Sequence, residues 1–138
     1  MDAREVLGTV PLFKGIDSKH LDVLAKMAHD RSFAAGAPIV TQGEPGIAMF
    51  AIVSGSVDVV QGQEKLRTMG PGEVFGEISL LTDRPRTATV KATTPTECLV
   101  LTNVNIREAL HSSPEMATHL LKTVAEMLID AEGRASRV

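Results

Sequence analysis

Short β-type segments separated by glycine and proline occupy the middle of this chain and restrict its fold more than any other feature. Glycine or proline lies at nearly every junction between them, for example at Gly43, Gly55 and Gly70. The segments are residues 39–41, 49–53, 56–60, 66–69, 87–92 and 97–101. Many short strands at this spacing predict a β-sandwich or a jelly-roll barrel.

The segment at residues 56–60 alternates in polarity. Val57 and Val59 lie on one face, and Asp58 lies on the other. Because successive side chains of a strand point to opposite faces, this segment is expected to have one face in the core and one in water. Residues 87–92 follow the same pattern.

Helical periodicity flanks the β region on both sides. On the N-terminal side, apolar residues recur at helical spacing after Asp17 or Ser18, either of which can serve as an N-cap. On the C-terminal side, a short helix is predicted at residues 104–110. A longer helix is predicted from Pro114 to about residue 131, with an apolar stripe made of Ala117, Leu120, Leu121, Val124 and Leu128.

Composition excludes several classes of protein. With 43% hydrophobic and 22% charged residues, the chain fits one globular domain. Its apolar runs are far shorter than the roughly 20 residues of a membrane helix, and residues 1–10 lack a signal sequence, so a cytoplasmic location is the default expectation. The net charge of -3 argues against nucleic-acid binding. The single cysteine, Cys98, is expected to be a buried structural thiol.

The run at residues 75–90, FGEISLLTDRPRTATV, combines groups that suit an anion with one that does not. Gly76 allows backbone amides to come close to a phosphate, and the Arg86 guanidinium can bind two of its oxygens. The carboxylate of Glu77 would be repelled by phosphate, so its presence makes sense if it accepts a hydrogen bond from a ligand hydroxyl. Phosphate and hydroxyl together suggest a nucleotide.

The order helix, β-barrel, helices, taken with this run, resembles the cyclic nucleotide-binding domain family over almost the whole chain. The residues that carry the resemblance are 10–16 (VPLFKGI), 42–46 (QGEPG), 49–57 (MFAIVSGSV), 70–77 (GPGEVFGE) and 86–89 (RTAT). It implies a mainly β fold with flanking helices: a jelly-roll β-barrel, or double-stranded β-helix, with one N-terminal helix and two C-terminal helices. The single domain would divide into a helical segment at 1–30, a barrel at 31–102 with its phosphate-binding cassette at 75–90, and helices at 103–138.

The resemblance also implies a ligand and its contacts. The ligand would be cAMP or cGMP, whose single phosphate charge one arginine balances, with no catalytic cofactor and no metal. Backbone amides of Gly76, Ile78 and Ser79 would lie near the phosphate and ribose, and the Thr87 amide would complete the cradle. Arg86 would bind the exocyclic phosphate oxygens, and Glu77 would accept the ribose 2′-hydroxyl.

Two assignments within the site stay open. Val74 and Phe75 either line the pocket for the base or belong to the core. The Thr87 hydroxyl either accepts from the amino group of guanine, which favours cGMP, or only helps to hold the phosphate of both nucleotides.

No enzymatic motif accompanies the cassette, so the resemblance implies a regulatory sensor rather than an enzyme. Ligand binding is expected to draw the C-terminal helix over the base and so to signal to an effector domain or partner protein. The residues after 131 are too few for a helix-turn-helix. The alternatives are a scaffold whose pocket is empty, and the sensor half of a transcription regulator that forms a homodimer through the C-terminal helix.

Overall fold

The computed structural model describes residues 2–77 and 79–136, without the side chains of residues 134–136. Helices α1 (Ala3–Gly8) and α2 (Ser18–Met27) begin the chain, with a short 3-10 turn (Pro11–Phe13) between them. The strands are β1 (His29–Phe33), β2 (Pro38–Val40), β3 (Ala48–Ser54), β4 (Val57–Gln61), β5 (Glu64–Met69), β6 (Val74–Phe75), β7 (Thr89–Ala92) and β8 (Thr96–Thr102). Helix α3 (Ser79–Thr82) lies between β6 and β7, and α4 (Asn103–Ser112) and α5 (Pro114–Ser136) follow β8.

The strands form two four-stranded antiparallel sheets, with the orders β1-β8-β3-β6 and β2-β7-β4-β5. Neighbours in each sheet are mostly distant in sequence, which is the jelly-roll arrangement that the turn-separated segments predict. The barrel is not closed, since each sheet keeps two edge strands.

Strand β3 divides the core into two clusters, because it is buried on both faces. Ala48 and Phe50 pack with the apolar residues of the opposite sheet, whereas Met49 and Ala51 pack with the helices. A strand buried on both faces is expected to be a continuous apolar run, and this strand reads AMFAIVS. One sheet is therefore a layer between the other sheet and the helices.

The structure confirms the predicted alternation of β4, in which Val57 and Val59 are buried and Asp58 is partly exposed. It also confirms the helix after Asp17, whose side chain accepts a hydrogen bond from the His20 amide. This bond from the His20 amide is the main reason why the pKa of Asp17 lies below its usual value.

The N-terminal segment differs from the prediction of one helix. A further helix, α1, begins after Asp2, whose carboxylate accepts a hydrogen bond from the Glu5 amide at 2.8 Å. Val6 and Leu7 anchor α1 in the core beside the helices. The cap and the two apolar residues together explain why so short a segment is helical.

Two strands have no counterpart among the predicted segments. Strand β1 reads HDRSF and is mostly exposed, and it forms because its backbone pairs with β8, with Arg31 opposite Cys98. Strand β6 has only two residues and pairs with β3. Neither strand shows alternation in its sequence.

Helix α5 buries only part of the predicted stripe, and Met116, which lies outside the stripe, is buried as well. Met116 and Leu120 are buried against the helical cluster, and the His119 ring is within hydrogen-bond distance of the Lys14 carbonyl, at 2.9 Å. The remaining large apolar residues of the predicted stripe, Leu121, Val124 and Leu128, are exposed. No helix within the described residues is long and apolar enough to cross a membrane.

Cys98 lies in the core between the sheets, with 1% of its surface exposed. Burial raises the pKa of its thiol to about 11, although Arg31 acts in the opposite direction. Because the thiolate is the nucleophile, at about pH 8 only about one thiol in a thousand would be reactive even if it were accessible.

We expect iodoacetamide to label Cys98 far more slowly in the folded protein than in urea. Equal labelling rates in the two conditions would contradict this assignment.

Candidate functional site

The predicted site residues come together around one cavity of about 430 Å³. Those that line it are Val74, Phe75, Gly76, Glu77, Ser79, Arg86 and Thr87. Ile78 lies outside the described residues. Apolar side chains of the second sheet, including Val59 and Val90, line the same cavity. The site therefore joins a polar side, made by the cassette, to an apolar side, made by the sheet.

Arg86 is the main charged group of the site, and it is buried, with 9% of its surface exposed. Its guanidinium donates hydrogen bonds to the Ala48 carbonyl and, at 3.1 Å, to the Ser79 hydroxyl. Its Nε is buried and has no hydrogen-bond partner within the described part of the chain. Burial lowers the pKa of the Arg86 guanidinium, but an arginine stays charged.

Within residues 2–77 and 79–136, no carboxylate forms an ion pair with Arg86. An uncompensated buried charge is costly, and it is usually paired or bound to a counter-ion. An anion bound at Arg86 would offset this cost.

Backbone hydrogen bonds fix the turn that carries Arg86. The Arg86 amide donates to the Glu44 carbonyl, and the Gly43 amide donates to the Arg86 carbonyl, both at 2.8 Å. A further bond of 3.1 Å joins the Gly46 amide to the Arg84 carbonyl. The turn at residues 43–46 thus holds residues 84–86 in place without using the guanidinium.

Gly76 is required beside Arg86 for two reasons. Its φ of +82° lies in the left-handed region, which a side chain disfavours. A Cβ atom there would also lie 2.5 Å from Nη1 of Arg86 and 2.9 Å from the Ala48 carbonyl oxygen. The absence of a side chain at Gly76 therefore leaves the space that the guanidinium occupies.

Glu77 has a carboxylate that is free to accept a hydrogen bond. No hydrogen bond or ion pair involves this carboxylate within the part of the chain that the structure describes. Glu77 also lines an adjoining cavity of about 380 Å³, together with Arg67. Its position on the same cavity as Arg86 would suit an acceptor for a ligand hydroxyl.

The amides proposed for the phosphate have the following positions. The Ser79 amide donates to the Gly76 carbonyl at 3.1 Å, within the turn that starts α3. Thr87 is exposed, and its carbonyl accepts from the Gln61 side chain at 3.1 Å. Contact of the Gly76, Ser79 and Thr87 amides with a ligand stays a prediction.

Phe75 belongs to the core and also lines the cavity. It stacks on Phe50, with ring centroids 5.1 Å apart and ring planes 13° apart. Val74 lines the cavity while it packs against the helical side of the core. Contact of either residue with a base stays a prediction.

Asn103 is not among the predicted site residues, although it is one of the few buried polar residues. Its side chain reaches the cassette at Ser79 and Asp83. Asp83 forms an ion pair with Arg107 of α4 and not with its neighbour Arg84. No sequence signal distinguishes Asn103 from an ordinary polar residue in the first turn of a helix.

No group of His, Cys, Asp and Glu side chains that could hold a metal ion occurs among the described residues. The charges of the cavity come from Arg86, Glu77, Arg84 and Arg67.

The family model described as "Cyclic nucleotide-binding domain" matches residues 30–113 of the chain. The chain is 37% identical over 122 residues to a cyclic nucleotide-gated potassium channel of Mesorhizobium japonicum, covering 88% of this chain and 34% of the channel. It is 30% identical over 129 residues to a CRP-like cAMP-activated global transcriptional regulator of Mycobacterium tuberculosis, covering 90% of this chain and 58% of the regulator. The chain thus spans less than two thirds of the length of these relatives.

Among solved structures, the N-terminal domain of a transcriptional regulator from Streptomyces coelicolor superposes with a TM-score of 0.85 at 31% identity. The match covers 91% of this chain and 94% of that one.

Substitution of Gly76 by alanine tests the packing of the site. The control is Gly36→Ala, because Gly36 has a similar φ of +87° but lies in open space. We expect Gly36→Ala to lower the free energy of unfolding by about 1–2 kcal/mol through backbone strain alone. Gly76→Ala should cost roughly 1–3 kcal/mol more, because its Cβ displaces Arg86. Urea unfolding measures both. Equal losses for the two variants would show that Arg86 does not occupy the space beside Gly76.

Proposed function

We propose that this chain is a regulatory sensor that binds cAMP or cGMP in the cavity beside Arg86. The chain belongs to the cyclic nucleotide-binding domain family. The family is typically regulatory rather than catalytic, and its members matched here include channels and transcriptional regulators. We also propose that the domain is cytoplasmic. The domain division stated above, with its cassette at 75–90, is part of the proposal.

The observation that carries the proposal is the buried Arg86 guanidinium without a carboxylate partner. A cyclic phosphodiester has one negative charge, which matches one guanidinium. Charge-assisted hydrogen bonds to phosphate oxygens would satisfy the buried cation. A triphosphate would bring more charge than this site balances.

Glu77 is the second residue that favours a cyclic nucleotide as the ligand. A carboxylate beside a phosphate site weakens the binding of a simple anion, but it favours a ligand that also carries a hydroxyl. The ribose 2′-hydroxyl of a cyclic nucleotide is such a group, since the cyclic phosphate occupies the 3′ and 5′ oxygens. The free carboxylate of Glu77 would accept its hydrogen bond.

The apolar side of the cavity would hold the base. The whole cavity has a volume of about 430 Å³, which is within the range of roughly 300–1,000 Å³ that is usual for ligand pockets. Val59, Val90 and Phe75 provide apolar surface there. Comparison of the affinities for cAMP and cGMP tests the role of the Thr87 hydroxyl, since a contact with the amino group of guanine would favour cGMP.

We propose that binding shifts the population of positions of α5, which then acts on an effector domain or partner protein. The exposed apolar residues Leu121, Val124 and Leu128 would either cover the base or form a homodimer contact. That stripe supports the second candidate function, the sensor half of a dimeric transcription regulator. A scaffold with an empty pocket is the less favoured reading, because Glu77 and Arg86 both line the cavity.

Removal of the guanidinium is expected to abolish most of the phosphate affinity. In calorimetric titrations with cAMP, cGMP and 5′-AMP, Arg86→Ala should weaken cyclic nucleotide binding by about 1.5–3 kcal/mol or more. The control is Lys91→Ala, which removes one positive charge from an exposed position on β7 and should leave the affinity unchanged. If the wild-type protein binds neither cyclic nucleotide at millimolar concentration, the proposed function is wrong.

The role of Glu77 can be isolated by changing the ligand as well as the protein. Glu77→Ala is expected to weaken cAMP binding by about 1.5–3 kcal/mol, since it removes a hydrogen bond to a charged acceptor. The same substitution should have little effect on 2′-deoxy-cAMP, which lacks the hydroxyl. A loss of the same size for both ligands would mean that Glu77 does not contact the ribose 2′-hydroxyl.

A further inference from the structure

Asn103 is a buried polar residue that joins α4 to the cassette, with 3% of its surface exposed. Its side-chain amide nitrogen lies within hydrogen-bond distance of the Gly46 carbonyl at 2.7 Å, the Ser79 carbonyl at 2.8 Å and Asp83 Oδ1 at 2.5 Å. Its backbone amide donates to the Ile47 carbonyl at 2.9 Å. One residue of α4 is thus bonded to two separate segments that border the phosphate site.

Those two segments are also the ones that hold the Arg86 guanidinium. Arg86 donates to the Ser79 hydroxyl and to the Ala48 carbonyl, while Asn103 donates to the carbonyls of Ser79 and Gly46. Ser79 is the shared residue, with its side chain bonded to Arg86 and its backbone to Asn103. A movement of Ser79 on phosphate binding would therefore change the bonds of both Arg86 and Asn103.

The bonding at Asn103 is sensitive to such a movement. An amide nitrogen has two hydrogens, yet three oxygens lie within hydrogen-bond distance of this one. The Oδ1 atom of Asn103 is buried and has no partner within the described residues. Because the three oxygens compete for two hydrogens, a small shift of the Ser79 carbonyl would redistribute them.

A second link runs parallel to the first. Asp83 follows α3 and lies in the left-handed region, with a φ of +55°, and its carboxylate binds both Asn103 and Arg107 of α4. Asp83 and Arg107 are about half exposed, so this pair alone is expected to be weak. Its connection to the buried Asn103 makes it part of one network between α3 and α4.

We propose that Asn103, supported by the Asp83–Arg107 pair, is the positioning residue that couples the phosphate site to α4. Asn103 holds the carbonyls of Gly46 and Ser79, and through them the place of the Ser79 hydroxyl and the Arg86 guanidinium. Phosphate binding at Arg86 is reported to α4 through the same bonds, and α5 begins only two residues after α4 ends. The coupling rests on the proposed function, since it needs an anion at Arg86.

Two variants of the same helix turn separate coupling from stability. Asn103→Ala removes the bonds to the cassette. Asn105→Ala removes a side chain of the capping box with Thr102, so it weakens the start of α4 without a contact to the cassette. Calorimetry with cAMP and cGMP gives the affinity, and hydrogen exchange of residues 103–112 with and without nucleotide gives the response of α4.

We expect Asn103→Ala to bind the nucleotide about tenfold more weakly than the wild type, as loss of preorganising hydrogen bonds implies. It should also lose the slowing of exchange that nucleotide causes in residues 103–112 of the wild type. Asn105→Ala should keep both the affinity and the response. If the wild type binds and the two variants behave alike, the coupling is overturned while the proposed function stands. If the wild type binds neither nucleotide, both are overturned.

A double-mutant cycle on exposed residues decides the matter even if Asn103→Ala does not fold. The cycle consists of Asp83→Asn, Arg107→Gln and the double variant, and it is measured as the free energy of unfolding with and without nucleotide. The coupling energy between the two residues should be larger with nucleotide bound, because the network then acts on a bound anion. Equal coupling in the two states would show that the pair has no link to the phosphate site, and it would overturn the proposal.

Discussion

Burial of the Arg86 guanidinium without a carboxylate is the constraint on which the rest of this structure depends. The charge is held by a carbonyl of β3 and a hydroxyl at the start of α3, which are neutral acceptors and do not balance it. Gly76 has to lack a side chain so that the guanidinium fits. The turn at residues 43–46 must hold residues 84–86 by backbone bonds alone. Such an arrangement is costly in the absence of an anion, and it is explained if the protein binds one.

The architecture provides the two sides of the site for different reasons. The second sheet turns apolar faces of β4 and β7 toward the cavity because those strands alternate in polarity. The cassette provides charge through Glu77, Arg84 and Arg86, which lie between β6 and β7 and line the cavity. Strand β3 connects the two parts, since it is buried between the sheet and the helices and its first carbonyl contacts Arg86. The cassette is therefore linked through β3 to the helical layer.

The sequence pattern was sufficient to predict the elements that are determined by their own residues. Alternation in β4 and the Asp17 cap of α2 are visible in the sequence, and both are present in the structure. Strand β1 could not be predicted, because its polar residues become a strand only by pairing with β8. The cassette residues could be predicted because glycine, carboxylate and arginine occur within one short run. Asn103, by contrast, lies 24 and 20 residues beyond its cassette partners Ser79 and Asp83, and 57 residues beyond Gly46. Contacts over that distance leave no periodic signal in a single sequence.

We infer that the buried Arg86 guanidinium binds the phosphate of a cyclic nucleotide. A crystal structure of the protein grown with cAMP tests it most directly, because it locates the phosphate without reference to any variant. We expect the exocyclic phosphate oxygens to lie about 3 Å from the guanidinium nitrogens of Arg86, with the ribose 2′-hydroxyl hydrogen-bonded to the Glu77 carboxylate. A nucleotide bound elsewhere, with Arg86 still bonded only to Ala48 and Ser79, would contradict it.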